Sequence, residues 1–339
     1  EYAFTFEDEQ TTVELSKADL TDKKELPGAS LKVTDEDGNT VDEWVSKEEA
    51  HIIKGLIVGK KYKMTETKPA DGYVTAESIE FTVENTKEVQ KHQMLDDVTK
   101  VEISKKDIAD SSEVPGAKLI ILDKDGKKVE SWTSTDKPHM VEKLPVGKYT
   151  LREEQAPDGY LIAEDVKFTV KDTGKVQKVK MKDAHPYGKL VIKKTDSTSK
   201  AALPGAEFEL REKENGKVVE KLVTDKTGTA TSGKIPIATY KNGKVEKTVE
   251  YILVETKAPN GYELSNKKEE IRFEYKDGKT KVIEIVKEIK NTKSPSGSTP
   301  TGNSPKTGDS TNIWLPILLA VLSACGIGGV IWYKKKKGN

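Results

Sequence analysis

Three lysines, three glutamates and three Asp or Asn side chains recur at matched places along the chain, and together these residue types can form an amide. Lys17, Lys105 and Lys194 each end an alternating apolar run: Val13 and Leu15, Val101 and Ile103, Leu190 and Ile192. Glu66, Glu153 and Glu255 end runs that begin at Tyr62, Tyr149 and Tyr251, inside the stretches YKMTETKPADGY, YTLREEQAPDGY and YILVETKAPNGY. Asp96, Asp183 and Asn291 close the last run of each segment. Side chains alternate between the two faces of a strand, so every lysine and glutamate of the set shares the apolar face of its run. For the third group, parity supports Asp183, after Val179 and Met181, and Asn291, after Ile289. The stripe before Asp96 includes His92, and adjacent Asp97 is the alternative there. Glu154 and Lys106 fall on the opposite parity.

Burial disfavours the charged form of an ionisable group, so a buried lysine loses its proton and a buried glutamate keeps its own. The lysine is then a nucleophilic amine, and the neutral acid can polarise a neighbouring carboxyl or carboxamide. Attack of Nζ on Cγ forms an amide and expels water from Asp or ammonia from Asn. The product no longer buries an ionisable amine, which removes the desolvation cost that activated the reactants. In a chain that is 34% charged, a single such lysine reads as an ordinary surface charge. Three in register, each on the apolar parity, point to the cross-link.

These groups must be positioned by repeated strands. Two residues after each lysine stands an aspartate (Asp19, Asp107, Asp196), and ten residues after it the proline of a Pro-Gly-Ala turn (Pro27, Pro115, Pro204). An alternating run and an Asp-Gly or Asn-Gly hairpin turn follow, then Trp44 or Trp132 in the first two segments, then the glutamate stretch. Short strands, Gly/Pro turns and no sustained helical period predict an all-β chain of tandem Ig-like antiparallel β-sandwiches, each of roughly a hundred residues. The repeats are expected over 11–97, 98–184 and 187–292, the third lengthened around Thr224 to Val249 by an extended hairpin with no legible role. FTFEDEQTTVELSK, ending at Lys17, aligns without gaps on HQMLDDVTKVEISK, ending at Lys105, and puts Asp8 where Asp96 falls. Residues 1–10 are therefore expected to be the last strand of a preceding repeat, in the C-terminal portion of a longer surface protein.

Beyond the third repeat the composition changes. Residues 293–312 are a Ser/Thr/Pro/Gly linker. The 21 residues 313–333, mostly apolar and with Trp314 and Trp332 near the two ends, predict a transmembrane helix. Residues 334–339, with Lys334 to Lys337, are a basic tail that the positive-inside rule puts in the cytoplasm.

Composition excludes several function classes. The 57 basic and 57 acidic residues are interspersed, so no basic face invites nucleic acid. The single cysteine, Cys325, lies in the apolar span, which leaves the repeats without disulfides. His51, His92, His139 and His185 lack metal-ligand spacing, and no Ser/His/Asp or Cys/His set recurs. Asp35–Gly38 and Asp123–Gly126 read as hairpin turns rather than calcium loops. No cofactor or metal is implied, and the only chemistry expected is a single-turnover cross-link rather than an enzyme's.

The strand lysine, the Y-x-L-x-E-x-x-A-P-x-G-Y stretch and the terminal Asp or Asn resemble the collagen-adhesin B-type (SpaA-like, prealbumin-like) domains of Gram-positive surface proteins and pilins, over residues 11–292. The resemblance implies intramolecular isopeptide bonds, with Lys17, Lys105 and Lys194 as nucleophiles, Glu66, Glu153 and Glu255 assisting, and Asp96, Asp183 and Asn291 accepting. The stretch Ser304, Pro305, Lys306, Thr307, Gly308, followed by the span and the lysines, is similar to an LPXTG sortase sorting signal with Ser304 in the place of leucine. That likeness implies sortase and peptidoglycan as partners, one helix crossing the membrane before processing, and a cell-wall-anchored position on a Gram-positive surface. The expected function is a stalk that carries an adhesin head, with host extracellular matrix as the partner of that head. One alternative is a pilin subunit polymerised by sortase through a lysine, for which Tyr240-Lys241-Asn242 is the nearest match, inside an expected Asn-Gly turn. Another is a display stalk for an upstream enzyme domain.

Overall fold

The computed structural model describes residues 9–295. The SPKTG signal, the apolar span and the basic tail lie outside the described residues, as do residues 1–8 of the strand expected at the start. The first repeat contains β1 (Thr12–Asp19), β2 (Ser30–Thr34), β3 (Thr40–Val45), β4 (His51–Lys54), β5 (Lys61–Lys68), β6 (Ile79–Thr82) and β7 (Gln90–Asp96). The second repeats the series as β8 (Lys100–Asp107), β9 (Lys118–Leu122), β10 (Lys128–Thr133), β11 (His139–Glu142), β12 (Gly147–Gln155), β13 (Val166–Val170) and β14 (Gln177–Asp183). The third has β15 (Tyr187–Asp196), β16 (Glu207–Glu212), β17 (Val218–Val223), β18 (Thr229–Thr231), β19 (Ile235–Pro236), β20 (Ala238–Lys241), β21 (Lys244–Thr248), β22 (Glu250–Lys257), β23 (Glu269–Arg272) and β24 (Val282–Asn291). No helix occurs among the described residues.

Each repeat is two facing sheets. In the first, the order is β4-β1-β7 in one sheet and β3-β2-β5-β6 in the other. The second follows with β11-β8-β14 and β10-β9-β12-β13. In the third, β15 pairs with β18, β19 and β24 and faces the sheet β17-β16-β22-β23. Inward residues of both sheets fill the gap: Leu15, Leu31, Met64 and Phe81 in the first repeat, and Ile103, Leu119, Leu151 and Met181 in the second.

Two expectations change. The sandwiches are not wholly antiparallel, because the first and last strands of every repeat pair in parallel, β1 with β7, β8 with β14 and β15 with β24. Period-2 patterning carries no strand direction, so the sequence could not show it. The extra length of the third repeat is also more than one hairpin. The short strands β18 and β19 cover the edge of β15 that β4 and β11 cover in the other repeats. Only β20–β21 is added, as a separate two-stranded hairpin. Its turn holds Asn242 and Gly243 at φ 53° and 70°, the left-handed pair that an Asn-Gly hairpin turn requires.

Candidate functional site

The parallel pairing sets the distance between the lysine and the last-strand residue. On β1 and β7, Lys17 lies opposite Met94 and Asp19 opposite Asp96, so Lys17 and Asp96 are diagonal neighbours on one face. Lys105 and Asp183, and Lys194 and Asn291, take the same diagonal. The glutamate comes from the facing sheet: Glu66 lies opposite Leu31, Glu153 opposite Leu119 and Glu255 opposite Phe208, all core positions. The nine side chains thus meet as three buried triads. Lys17, Lys105 and Lys194 are at most 2% exposed.

In each triad the lysine Nζ touches both partners. It lies 2.9 Å from Glu66 Oε1, from Glu153 Oε2 and from Glu255 Oε1. It also contacts Oδ1 of Asp96, Asp183 and Asn291 directly. Asp96 is thus the residue beside Lys17, while Asp97 turns to Lys100 Nζ at 2.8 Å. His92, which blurred the stripe, faces inward and stacks on Phe81 with ring centroids 4.5 Å apart. Lys106 pairs with Glu113 at 2.8 Å and Glu154 is exposed, so neither enters a triad.

Burial governs the electrostatics. It pushes the carboxyls of Asp96 and Asp183 up to about 7; the lysine beside each opposes the rise and the facing glutamate adds to it. Burial likewise pushes the Lys194 amine down, against the pull of Glu255. Asp96 Oδ2, Asp183 Oδ2 and Glu153 Oε1 have no hydrogen-bond donor and Glu66 Oε1 has only the Lys17 amine, as expected where two carboxyls meet and must share a proton. In the third triad Asn291 Nδ2 donates to both oxygens of Glu255, at 3.0 and 3.1 Å, and fills that place with its own hydrogens.

A proton moved from Nζ to the glutamate leaves a neutral amine against a carbonyl carbon, with an acid in reach of the leaving atom. Attack would then close the amide, and the acid would return its proton to the departing hydroxyl or amine. The atoms balance as amine plus acid to amide plus water, or amine plus carboxamide to amide plus ammonia.

The sequence profile of the prealbumin-like fold domain SpaA matches residues 11–97, 99–185 and 188–289. The chain belongs to the SpaA family of prealbumin-like domains. The TIE protein of Bacillus anthracis is 28% identical over 84% of this chain, with a TM-score of 0.56. The match spans 52% of that structure, so the chain covers about half of its length. The major pilin subunit BcpA of Bacillus cereus matches at 19% identity and TM-score 0.49, over 84% of this chain and 100% of its own. The major pilin SpaD of Corynebacterium diphtheriae matches at 18% and 0.39, over 86% and 99%. At these values the two pilins add nothing to the fold assignment. No curated protein matches the chain.

Two supports of the SpaA-type triads escaped the sequence reading. One is a bulge just past each glutamate, where pairing slips between Glu66 and Lys68, Glu153 and Gln155, and Glu255 and Lys257. The slip ends the core stripe at the acid, because Lys68, Gln155 and Lys257, which alternation would bring inward, are exposed instead. The glutamate is then held by a backbone N–H ten residues on, from Ala76 at 2.6 Å, Ala163 at 2.6 Å and Ser265 at 2.8 Å. The other support joins two recurrences that were visible but unconnected. The hydroxyls of Tyr73, Tyr160 and Tyr262, which end the glutamate stretches, donate to Asp19, Asp107 and Asp196 at 2.8, 2.8 and 2.9 Å. Each bond fixes the end of the lysine-bearing strand, two residues from the lysine.

Proposed function

We propose that the chain is the stalk of a sortase-anchored surface protein, each repeat closed by an autocatalytic isopeptide bond: Lys17–Asp96, Lys105–Asp183 and Lys194–Asn291. The observation that carries this reading is the triad itself, found three times with the same buried geometry. An uncross-linked buried Lys–Glu–Asp set is costly to keep, whereas the amide is neutral. Each bond joins residues 79, 78 and 97 positions apart, near the entry and exit of its repeat. A load therefore passes from strand to strand without unravelling the sandwich between them, which suits a tether.

SPKTG, the apolar span and the lysine tail support wall anchoring through sortase at a Gram-positive surface, with peptidoglycan as the covalent partner. An adhesin head upstream, with host matrix as its ligand, extends the same reading. A pilin subunit fits the SpaA family equally well. The Tyr240-Lys241-Asn242 stretch is a weak handle for polymerisation, since Tyr240 is packed against the second repeat and Asn242 is committed to a turn.

Release of the protein from cells with a peptidoglycan hydrolase tests the anchoring. The wall-linked form is expected to end at Thr307, and Thr307→Ala to leave the protein in the membrane fraction. A single released species supports the stalk and a ladder of covalent multimers supports the pilin. Recovery of the Ile313–Tyr333 peptide on wall-linked protein would contradict both.

A further inference from the structure

The β20–β21 hairpin has no counterpart in the other repeats and takes no part in a triad, yet both of its strands and its turn lie against the second repeat. From β20, the Tyr240 ring stacks flat on His185, with centroids 3.5 Å apart and planes 2° from parallel. It meets Tyr160 edge-on at 5.2 Å, and its hydroxyl donates to the Gly159 carbonyl at 2.9 Å. From β21, Val245 packs on Gly159 so closely that a Cβ there would collide with it. At the turn, a Cβ on Gly243 would run into the Glu113 carbonyl.

The surface that receives the hairpin is a built socket. Tyr160 is fully buried and forms a small cluster with Val114 and Ala156, against which Ile162 and Tyr240 pack. Asp107 lies beneath it, accepting from the Tyr160 hydroxyl at 2.8 Å and paired with His185 Nε2 at 2.8 Å. Burial would raise the Asp107 carboxyl, but the Ala109 N–H, Tyr160 and His185 outweigh it and hold it below the usual range. Elsewhere on the same seam the Ile162 N–H donates to the Gly278 carbonyl at 2.8 Å, and the Tyr275 hydroxyl to the Tyr160 carbonyl at 3.0 Å.

The equivalent socket of the first repeat receives a different plug. Lys143 from the second repeat lies over the Tyr73 ring at 4.8 Å, with Nζ 2.6 Å from its hydroxyl and 3.3 Å from Asp19. That lysine side chain is 52% exposed, so salt screens the contact, whereas the His185 side chain of the aromatic joint is 19% exposed.

We propose that the hairpin insertion is a recognition element whose partner is the Tyr160–Asp107–His185 socket, and that its docking makes the second and third repeats one body. The proposal does not rest on the cross-links, since no atom of a triad lies in the seam. Hydrogen exchange in the full chain tests it, because the Ile162 amide is protected by a carbonyl of the other repeat. In Tyr240→Ala that amide should exchange at least about tenfold faster while the Ile103 amide, deep in the second core, keeps its rate. The His185 ring protons should lose their ring-current shift in the same variant. Tyr240→Phe, which keeps the stack and drops only the hydroxyl bond, should retain the ring-current shift and most of the protection. If Tyr240→Ala unfolds the second repeat, Gly243→Val, which blocks docking at the turn, takes its place with the same expectation for Ile162. Unchanged Ile162 exchange and unchanged His185 shifts, in whichever of these variants keeps the second core intact, would overturn the proposal.

Discussion

The first two triads and the third solve one problem with different acceptors. In the Asp triads two carboxyls face each other, Oδ2 of Asp96 and of Asp183 has no donor, and burial lifts the acceptor to about 7. In the Asn triad the carboxamide Nδ2 donates to the Glu255 carboxylate, within reach of both its oxygens, and nothing on the acceptor titrates. On the proposed cross-linking, an Asp site would react only while it holds a proton that the solvent can remove, and an Asn site would carry its hydrogens within the leaving group. In all three repeats the glutamate is placed by the fold, through the bulge and the N–H ten residues on, whichever residue the last strand brings beside it.

The largest expected effect comes from removing one nucleophile and leaving its neighbours. Lys105→Ala opens a loop of 78 residues, whose closure is worth about 4–5 kcal/mol on the loop-entropy account. Stretched between Thr12 and Thr292, the native array should show no domain-sized step, and this variant should show one. Repeat-sized steps in the unaltered protein would break the idea that load bypasses the sandwiches.

A smaller effect distinguishes the two kinds of triad. In chain isolated in denaturant before any bond has closed, cross-linking on first folding should slow about tenfold per pH unit above 7 in the Asp repeats, where the acceptor ionises, and should show no such fall in the Asn repeat. Asp183→Asn should abolish the fall in the second repeat and Asn291→Asp should create one in the third. The sign for stability follows. Before the bond forms, the folded Asp holds its proton from its ordinary 3.8 up to about 7, so stability declines as pH rises through that window. Identical pH profiles in all three repeats would erase the distinction.

Much of this was legible in the chain because strands alternate. Lys17, Glu66 and their counterparts announce themselves as charges on apolar parity, and three copies make the register plain. Direction was not legible, since the β1 stripe reads the same whether β7 runs with it or against it. His92 obscured Asp96 because a period of two registers polarity and cannot foresee that an imidazole will stack on Phe81. The pairing of Tyr73 with Asp19 spans 54 residues, and that of Tyr240 with Gly159 spans 81. Contacts so distant leave no mark on local pattern, although the recurrence of both Tyr and Asp in every repeat was a signal for the first of them.

Intact mass of the denatured protein over residues 9–295 tests the central claim most directly. Three closed triads predict a mass below that of the sequence by two waters and one ammonia, and Glu153→Ala should restore one water and leave the other two losses in place. The full sequence mass in the unaltered protein would contradict the account.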